Sequence, residues 1–405
     1  MNRPASPPHP PARGCCGGSG AACGCDAGRP GERLRPPPAA GCAIVEPGPA
    51  GDPRQQPFYA GWVETPVGMV PRLATRLRPA DHLGRFRVRW GIGRDRYRVR
   101  PGLYAAGTPG PDSPVLVTAN YKLSVDALRR DLDGVDAWIL VLDTHGINVW
   151  CAAGKGTFGT AELCRRVRET GLAHVVAHRT LVLPQLGAPG VAAHEVRAGC
   201  GFSVVYGPVR ARDLPAFLAR GMEATPEMRR VTFRAAERLA LVPVEVVGLA
   251  KPSVWAILAI FVLGGIGPHG FFPAAGAWPR RLAALAAYLA GVVSGAVLTP
   301  LALPWIPGRA FSLKGALAGA AVAAAAATSP AARGLGALET TAYALMVTAV
   351  ASICAMNFTG ASTFTSPSGV EKEMRRAIPL QAAAILAAAL LWVGSAFAAG
   401  GPPWR

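Results

Sequence analysis

The chain has 405 residues, of which 51% are hydrophobic and only 16% are charged. Soluble domains carry about 25% charge, so these figures argue against a wholly soluble enzyme, and the length suggests two to three folding units. The 42 basic residues outnumber the 24 acidic ones and give a formal charge of +18, but they form no run or stripe, which argues against a nucleic-acid partner.

Residues 1–56 are rich in Pro and Gly and poor in aromatics. Such a segment cannot bury enough apolar surface to offset its ordering entropy and reads as a mostly disordered tail. Five of the nine cysteines fall in it, at Cys15, Cys16, Cys23, Cys25 and Cys42. Two adjacent Cys and a C-x-C match no standard zinc or cluster spacing. Nothing before residue 50 has the apolar core of a signal peptide, so a disulfide-stapled secreted domain is not expected.

Residues 57–250 read as a soluble α/β domain. PVLVTAN (114–120) is a short apolar run ending in turn chemistry, the mark of a buried strand. SVDALRRDL (124–132) follows at helical period, with Ser124 as its expected N-cap. AWILVLDT (137–144) reads as a second buried strand. GTAELCRRVRETG (159–171) reads as a helix capped by Thr160 and Gly171, with Leu163 and Val167 on one face. HVVAH (174–178) and FSVVYG (202–207) are the next expected strands. Alternation of strand and helix implies a mainly parallel, Rossmann-like sheet, whose ligands sit beyond the carboxyl ends of the strands. Thr118–Asn120 and Thr144–Cys151 would both lie at that edge.

Residues 251–405 read as an all-α transmembrane domain of about five helices. The apolar cores lie near 253–267, 283–303, 315–329, 341–358 and 378–398. A span needs roughly 20 apolar residues, which the first core reaches only by continuing to Phe272, and the third is short and Ala-rich. Lys and Arg near the spans favour a cytoplasmic-membrane protein with its α/β domain facing the cytoplasm. Arg229, Arg230, Arg234, Arg238, Lys251, Arg309, Lys314, Lys372, Arg375 and Arg376 then fall inside, against Arg280, Arg281, Arg333 and Arg405 outside. Glu339 reads as a solvated interfacial carboxylate and Cys354 as an apolar filler.

The densest chemistry lies in GINVWCAAGKGTFGTAEL (146–163), between a strand and a helix. Gly146, Gly154, Gly156 and Gly159 permit tight turns and close backbone approach to a ligand. The P-loop pattern is absent because Gly156 follows Lys155, and GKGTFG (154–159) fits GxGxxG without a strand directly before it. Cys151 has small neighbours that leave room at its sulfur, and on the residues alone it could be a nucleophile, a metal ligand or a core filler. No spacing ties His145, His174 or His178 to it as a triad.

NVWCAAGK (148–155) resembles the cap-helix motif of the mercury-methylating corrinoid (HgcA) family, and GTFGTAEL continues the likeness. VTANYKLS (117–124) resembles a motif shared with the corrinoid domain of the corrinoid iron–sulfur protein large subunit, and MNFTGASTFTSPSGVEKEM (356–374) resembles a third motif near the end of the membrane region. The resemblance covers roughly residues 75–400 and leaves out the Cys-rich tail. It implies a cobalamin cofactor with Cys151 as the lower ligand to cobalt. Asn148, Val149, Trp150, Ala152, Ala153, Gly154 and Lys155 would form the rest of the cap, with Gly156 and Thr157 next to the corrinoid. Thr118 and Asn120 would lie on the corrinoid side of the shared motif.

The implied activity is anaerobic transfer of a methyl group from methyl-Co(III) cobalamin to Hg(II), giving methylmercury. The implied partners are a ferredoxin with two [4Fe–4S] clusters (HgcB-type) and a folate-type methyl donor or its methyltransferase. A thiolate donates strongly to a metal, as it does in haem proteins, so a Cys ligand suits that transfer. A corrinoid methyl carrier of one-carbon or acetyl-CoA metabolism, with no mercury activity, is the alternative. A transporter with a regulatory domain fits poorly, because the spans carry almost no charge.

Overall fold

The computed structural model describes residues 57–268, 270–271, 277–330, 334–362 and 367–398. The Cys-rich segment 1–56, Phe272, Arg333, Arg405 and residues 363–366 of the third motif lie outside the described residues.

A hairpin of β1 (Tyr59–Thr65) and β2 (Gly68–Leu73) leads to α1 (Pro79–Arg89) and β3 (Gly102–Ala106). The repeating unit follows: β4 (Val115–Ala119), α2 (Lys122–Arg130), β5 (Ala137–Leu142), α3 (Val149–Gly154), α4 (Thr160–Glu169), α5 (Leu172–Val175), β6 (Thr180–Leu183), α6 (Ala193–Cys200), β7 (Ser203–Tyr206) and α7 (Leu214–Ala219). The seven strands form one sheet in the order β1-β2-β3-β5-β4-β6-β7. β5, β4, β6 and β7 run parallel, while β3 is antiparallel to β5. The expected parallel sheet is therefore found in the four strands that follow β3.

Every residue of β4 and β5 is buried, as expected of strands covered on both faces. Val115, Val117, Leu140 and Leu142 pack with Phe158, Leu163, Val167 and Val196 on one side. Leu116, Ile139 and Val141 pack with Val125, Leu128, Leu132 and Phe217 on the other. The chain moves from β4 outward to β5, then crosses back over β4 to reach β6. A switch point therefore opens between the carboxyl ends of β4 and β6.

Three local expectations need correction. HVVAH is not a strand: Leu172–Val175 is a helical turn, and the strand comes later, at Thr180–Leu183. Gly171, with φ 59°, starts that turn, and a five-residue apolar run cannot by itself tell strand from helix. Ser124 does not cap α2, which begins at Lys122 after Tyr121. Thr160 is the first residue of α4 rather than its cap, and its hydroxyl accepts the Ala192 N–H at 2.9 Å.

The remaining helices are α8 (Ala235–Leu239), α9 (Val242–Gly248), α10 (Ala250–Leu263), α11 (Ala277–Val293), α12 (Thr299–Ala302), α13 (Phe311–Ala327), α14 (Ala337–Asn357) and α15 (Pro367–Ser395). Each of the five apolar windows contains a helix, but among the described residues only three helices are long and apolar enough to cross a membrane: Trp278–Ala302, Ala337–Gly360 and Ser368–Ser395. A fourth span arises if Ala235–Gly248 and Ala250–Leu263, bent by 53°, count together. Pro252 explains the break, since its ring clashes with the carbonyl four residues back, at Gly248. The first apolar core does not run on as helix: α10 stops at Leu263 and a short pairing of Ile266–Gly267 with Gly270–Phe271 follows. α13, with 17 residues, is shorter than the other three.

α14 is the hub of these helices. Glycines on α11 and α13 let them approach it closely: a Cβ on Gly291 would stand 2.7 Å from the Val350 Cβ, and one on Gly319 2.7 Å from the Ala351 Cβ. Trp255, Leu258, Leu289, Leu317, Leu386 and Leu390 face outward and exposed, as apolar side chains do when the surroundings are lipid. Glu339 is not a solvated interfacial residue. It is 2% exposed and pairs with Arg280 at 3.0 Å. Arg280 also donates to the Trp392 carbonyl at 2.5 Å and the Ser395 hydroxyl at 3.2 Å. α11, α14 and α15 are thereby tied at the end away from the sheet domain. Near the sheet domain, Phe358 is fully buried between Phe233 and Phe311, and Arg238 donates to the Leu301 carbonyl at 3.0 Å.

Candidate functional site

A cavity of about 350 Å³ opens at the switch point. Its walls come from the ends of β4 (Thr118) and β6 (Leu183, Pro184), from the first turns of α2 (Ser124, Ala127), from the start of α3 (Asn148, Val149, Trp150), and from the segment after β7 (Pro208, Val209). The lining is mostly apolar, with the side chains of Thr118, Ser124 and Asn148 as its polar groups. It falls within the ~300–1,000 Å³ of ordinary ligand pockets and suits a ligand with an apolar body and a few hydrogen-bonding groups.

The loop from β5 to α3 explains how Asn148, Val149 and Trp150 reach this edge. Asn120, 2% exposed at the end of β4, gathers the loop. Its Oδ1 accepts the N–H of Thr144 at 3.2 Å and of Gly146 at 2.9 Å, while its amide donates to Asp143 at 3.0 Å. The Thr144 hydroxyl stands 2.9 Å from Asn120 Oδ1 and 2.7 Å from the Ile147 carbonyl and donates to one of them. His145 and Gly146 take the left-handed conformation, φ 56° and 76°, to make the turn. Asn148 then caps α3, its Oδ1 accepting the Cys151 N–H at 2.9 Å.

The structure separates the expected site residues into groups. Thr118, Asn148, Val149 and Trp150 come together on the cavity wall. Asn120 lies behind it and holds the loop. Ala152 and Ala153 are buried and seat α3 against the segment at Gln185–Gly190, where a Cβ on Gly190 would come within 2.9 Å of the Ala153 Cα. Gly154, Lys155 and Gly156 are exposed and Thr157 is half-buried beyond the end of α3. Gly156 makes a turn at φ 79°, and a Cβ on Gly159 would meet the Gly156 carbonyl at 2.7 Å. Two of the glycines near Lys155 thus have turn and packing reasons that involve no phosphate.

Cys151 directly follows the lining residue Trp150 but is not itself part of the wall. It is half-buried, and its sulfur has no hydrogen-bond partner among the described residues. The other described cysteines differ from it. Cys164 and Cys200 both direct their thiols at the Val196 carbonyl, at 3.9 and 3.3 Å. Burial, reinforced by Cys200, pushes the Cys164 thiol up to about 11. Cys354 is buried among Ala296, Tyr288 and Val350, as expected of a filler. No cluster of three or more His, Cys, Asp or Glu side chains suited to a metal occurs among the described residues.

The described part of the third motif does not line the cavity. Phe358 and Thr359 are buried at the junction of α14 with 233–241. Among the lining residues that sequence reasoning missed are Ser124, Leu183, Pro184, Leu186, Pro208 and Val209. Proline directly after β6, and again two residues after β7, was the available signal, and placing β6 six residues too early hid the first of them.

Comparison with known proteins bears on this part of the chain. A family model described as CO dehydrogenase/acetyl-CoA synthase delta subunit matches residues 92–218, which run from just before β3 through α7. The gamma subunit of the acetyl-CoA decarbonylase/synthase complex of Methanopyrus kandleri is 35% identical over 129 residues, covering 31% of this chain and 28% of that protein. Its counterpart in Archaeoglobus fulgidus is 34% identical over 125 residues, covering 30% and 26%. That of Methanocaldococcus jannaschii is 38% identical over 92 residues, covering 22% and 19%. The chain therefore spans about a quarter or less of the length of these relatives. The family match takes in strands β3 to β7, the cavity and Cys151; it leaves out β1 and β2 and ends before the apolar helices.

Proposed function

We propose that the chain is a membrane-anchored, corrinoid-dependent methyltransferase whose methyl acceptor is Hg(II). When bound, the corrinoid supplies a cobalt centre that carries a methyl group and gives it up. The residues fit such a group in two respects. The cavity has the apolar character and sparse hydrogen-bonding groups that a corrinoid's tail requires, and a half-buried thiol with no hydrogen-bond partner among the described residues stands beside it. At 350 Å³ the cavity takes a part of the corrinoid and not the whole.

The chain's own residues have distinct parts in this reading. Thr118, Ser124 and Asn148 offer hydrogen bonds within the cavity, and Val149 and Trp150 provide its apolar wall. Asn120 fixes the loop that aims α3. Ala152 and Ala153 press α3 onto Gly190, so the Cys151 sulfur is carried on a helix with little freedom to turn. Cys151 would hold the cobalt through its thiolate, and so strongly donating a sulfur would suit transfer of a methyl group to a soft electrophile. A two-cluster ferredoxin is the electron donor, a folate-type donor or its methyltransferase supplies the methyl group, and the α/β domain faces the cytoplasm.

Cys151 carries this reading: a thiol without a hydrogen-bond partner among the described residues, on a capped helix, in a segment resembling the mercury-methylating family. The relatives' names favour a second reading. They are subunits of acetyl-CoA decarbonylase/synthase complexes, which supports a methyl carrier of one-carbon metabolism that does not act on mercury.

The test is methylmercury formation by an anaerobic host expressing the chain with a two-cluster ferredoxin, beside Cys151→Ala, with the corrinoid absorbance of each purified protein recorded. We expect formation in the wild type, and in the variant no methylmercury together with a changed spectrum of retained corrinoid. A corrinoid-loaded wild type that makes no methylmercury while its ferredoxin is active would leave the carrier reading in its place. An unchanged rate in the variant would remove Cys151 as ligand.

A further inference from the structure

A second and larger cavity, about 920 Å³, lies between α13 and α15 over α14 and shares no lining residue with the one at the switch point. Both outer helices pack on α14, and at one end they are tied by the Ser312 N–H donating to the Glu373 carboxylate at 2.6 Å. Beyond that tie they leave a groove. Leu313, Leu345 and Leu380 make its sides apolar. Deeper in, Gln381 and Ser352 bond each other at 2.8 Å, so these two polar groups already have partners.

The charges gather at one end. Arg309, Lys372 and Arg376 line the mouth, all exposed, and none has a carboxylate partner among the described residues. Their neighbours are engaged. Arg375 pairs with Glu371 at 2.6 Å, and Lys314 donates to the carbonyls of Leu303 and Ile306. Glu373, the acidic residue of the lining, is occupied with the start of α13. This mouth is at the end that carries the sheet domain, since α13 starts beside Phe358 and Phe233.

We infer that the groove binds an anionic phospholipid, with its phosphate held by Arg309, Lys372 and Arg376 and an acyl chain lying along Leu313, Leu345 and Leu380. Three cations against the single carboxylate of Glu373, above an apolar trough, leave a net positive mouth that matches an anionic head on an apolar tail, and basic pockets between helices at a membrane's cytoplasmic edge recognise such heads. The inference rests on the membrane reading and is independent of the methyl acceptor.

The experiment is native mass spectrometry of the full chain in detergent, titrated with phosphatidylglycerol or phosphatidylcholine. We expect the anionic lipid to be retained at concentrations at least about tenfold lower than the zwitterionic one. The variant Arg309→Gln/Lys372→Gln/Arg376→Gln should lose this preference, and Arg375→Gln should keep it. Leu313→Trp, which fills the trough and leaves the cations, should weaken both lipids. A preference that survives the triple change overturns the site. Displacement of the lipid by millimolar inorganic phosphate would identify a phosphate site and also overturn the lipid assignment. Release of the chain from membranes by alkaline carbonate would bring down the membrane reading together with this site, whereas retention without selectivity removes the site alone.

Discussion

Two asparagines near the cavity have unlike duties. Asn148 is a helix cap as well as a lining residue. Asn148→Ala should cost about 1 kcal/mol, the usual value of a cap, and Asn148→Asp, which keeps the acceptor, should recover most of it. Asn120→Ala should cost more, about 1–3 kcal/mol, because it leaves the buried N–H of Thr144 and the half-buried N–H of Gly146 without acceptors. Chemical denaturation of the three variants checks both values, and an Asn120 variant as stable as wild type would show that the loop finds another anchor. Both residues stand in segments whose chemistry was legible from sequence. Which one faces a ligand and which one faces its own backbone was not, because that depends on the bond from the end of β4 to the loop after β5, 24 residues apart.

Among elements, the strands of the parallel core were legible because β4 and β5 are uninterrupted apolar runs. β6 was displaced because HVVAH and TLVL are both short and apolar, and only the turn at Gly171 separates their roles. The helix starts at Ser124 and Thr160 were misplaced for a shared reason: both hydroxyl residues sit inside the first turn of their helices, and Thr160 serves the Ala192 backbone. The apolar helices were legible as windows, but the packing of α13 was not. Its glycines face α14, and a side chain on Gly319 would have to displace the Ala351 Cβ. Gly319→Val should therefore lower the thermal midpoint in detergent, with a cost of about 1–3 kcal/mol for overpacking. Ala320→Val, one position on and exposed, should change little. Equal effects of the two would count against close α13–α14 contact.

Across the molecule, the excess of basic residues is partly absorbed in specific networks. Lys122 and Arg129 bridge Asp81 and Asp126 at 2.7–2.8 Å, binding α1 to α2. Burial alone would raise the Asp81 pKa, but Lys122, the Arg78 N–H and Arg129 together hold it down to about 2. A carboxylate held below its ordinary range stabilises the fold above that range, and the contribution is lost as the pH falls through the folded value. Stability of the sheet domain should thus decline from about pH 4 towards pH 2, while Asp81→Asn should be less stable at neutral pH and show a flatter acid limb. Acid titration of the unfolding midpoint in both proteins checks this, and parallel acid limbs would exclude Asp81 as the source.

The bond between Arg280 and Glu339 has a bearing on how the chain is made. The two partners are 59 residues apart, with α12 and α13 between them. During synthesis the segment bearing Arg280 leaves the ribosome long before its carboxylate exists. In the membrane-spanning arrangement proposed above, a guanidinium near the end of an apolar helix is costly to hold unpaired, and Glu339 supplies its partner only once α14 has been made. In that arrangement α11 reaches its final packing only after α14 is made, and a nascent chain arrested before Glu339 should be more readily released by alkaline extraction than one arrested after α14.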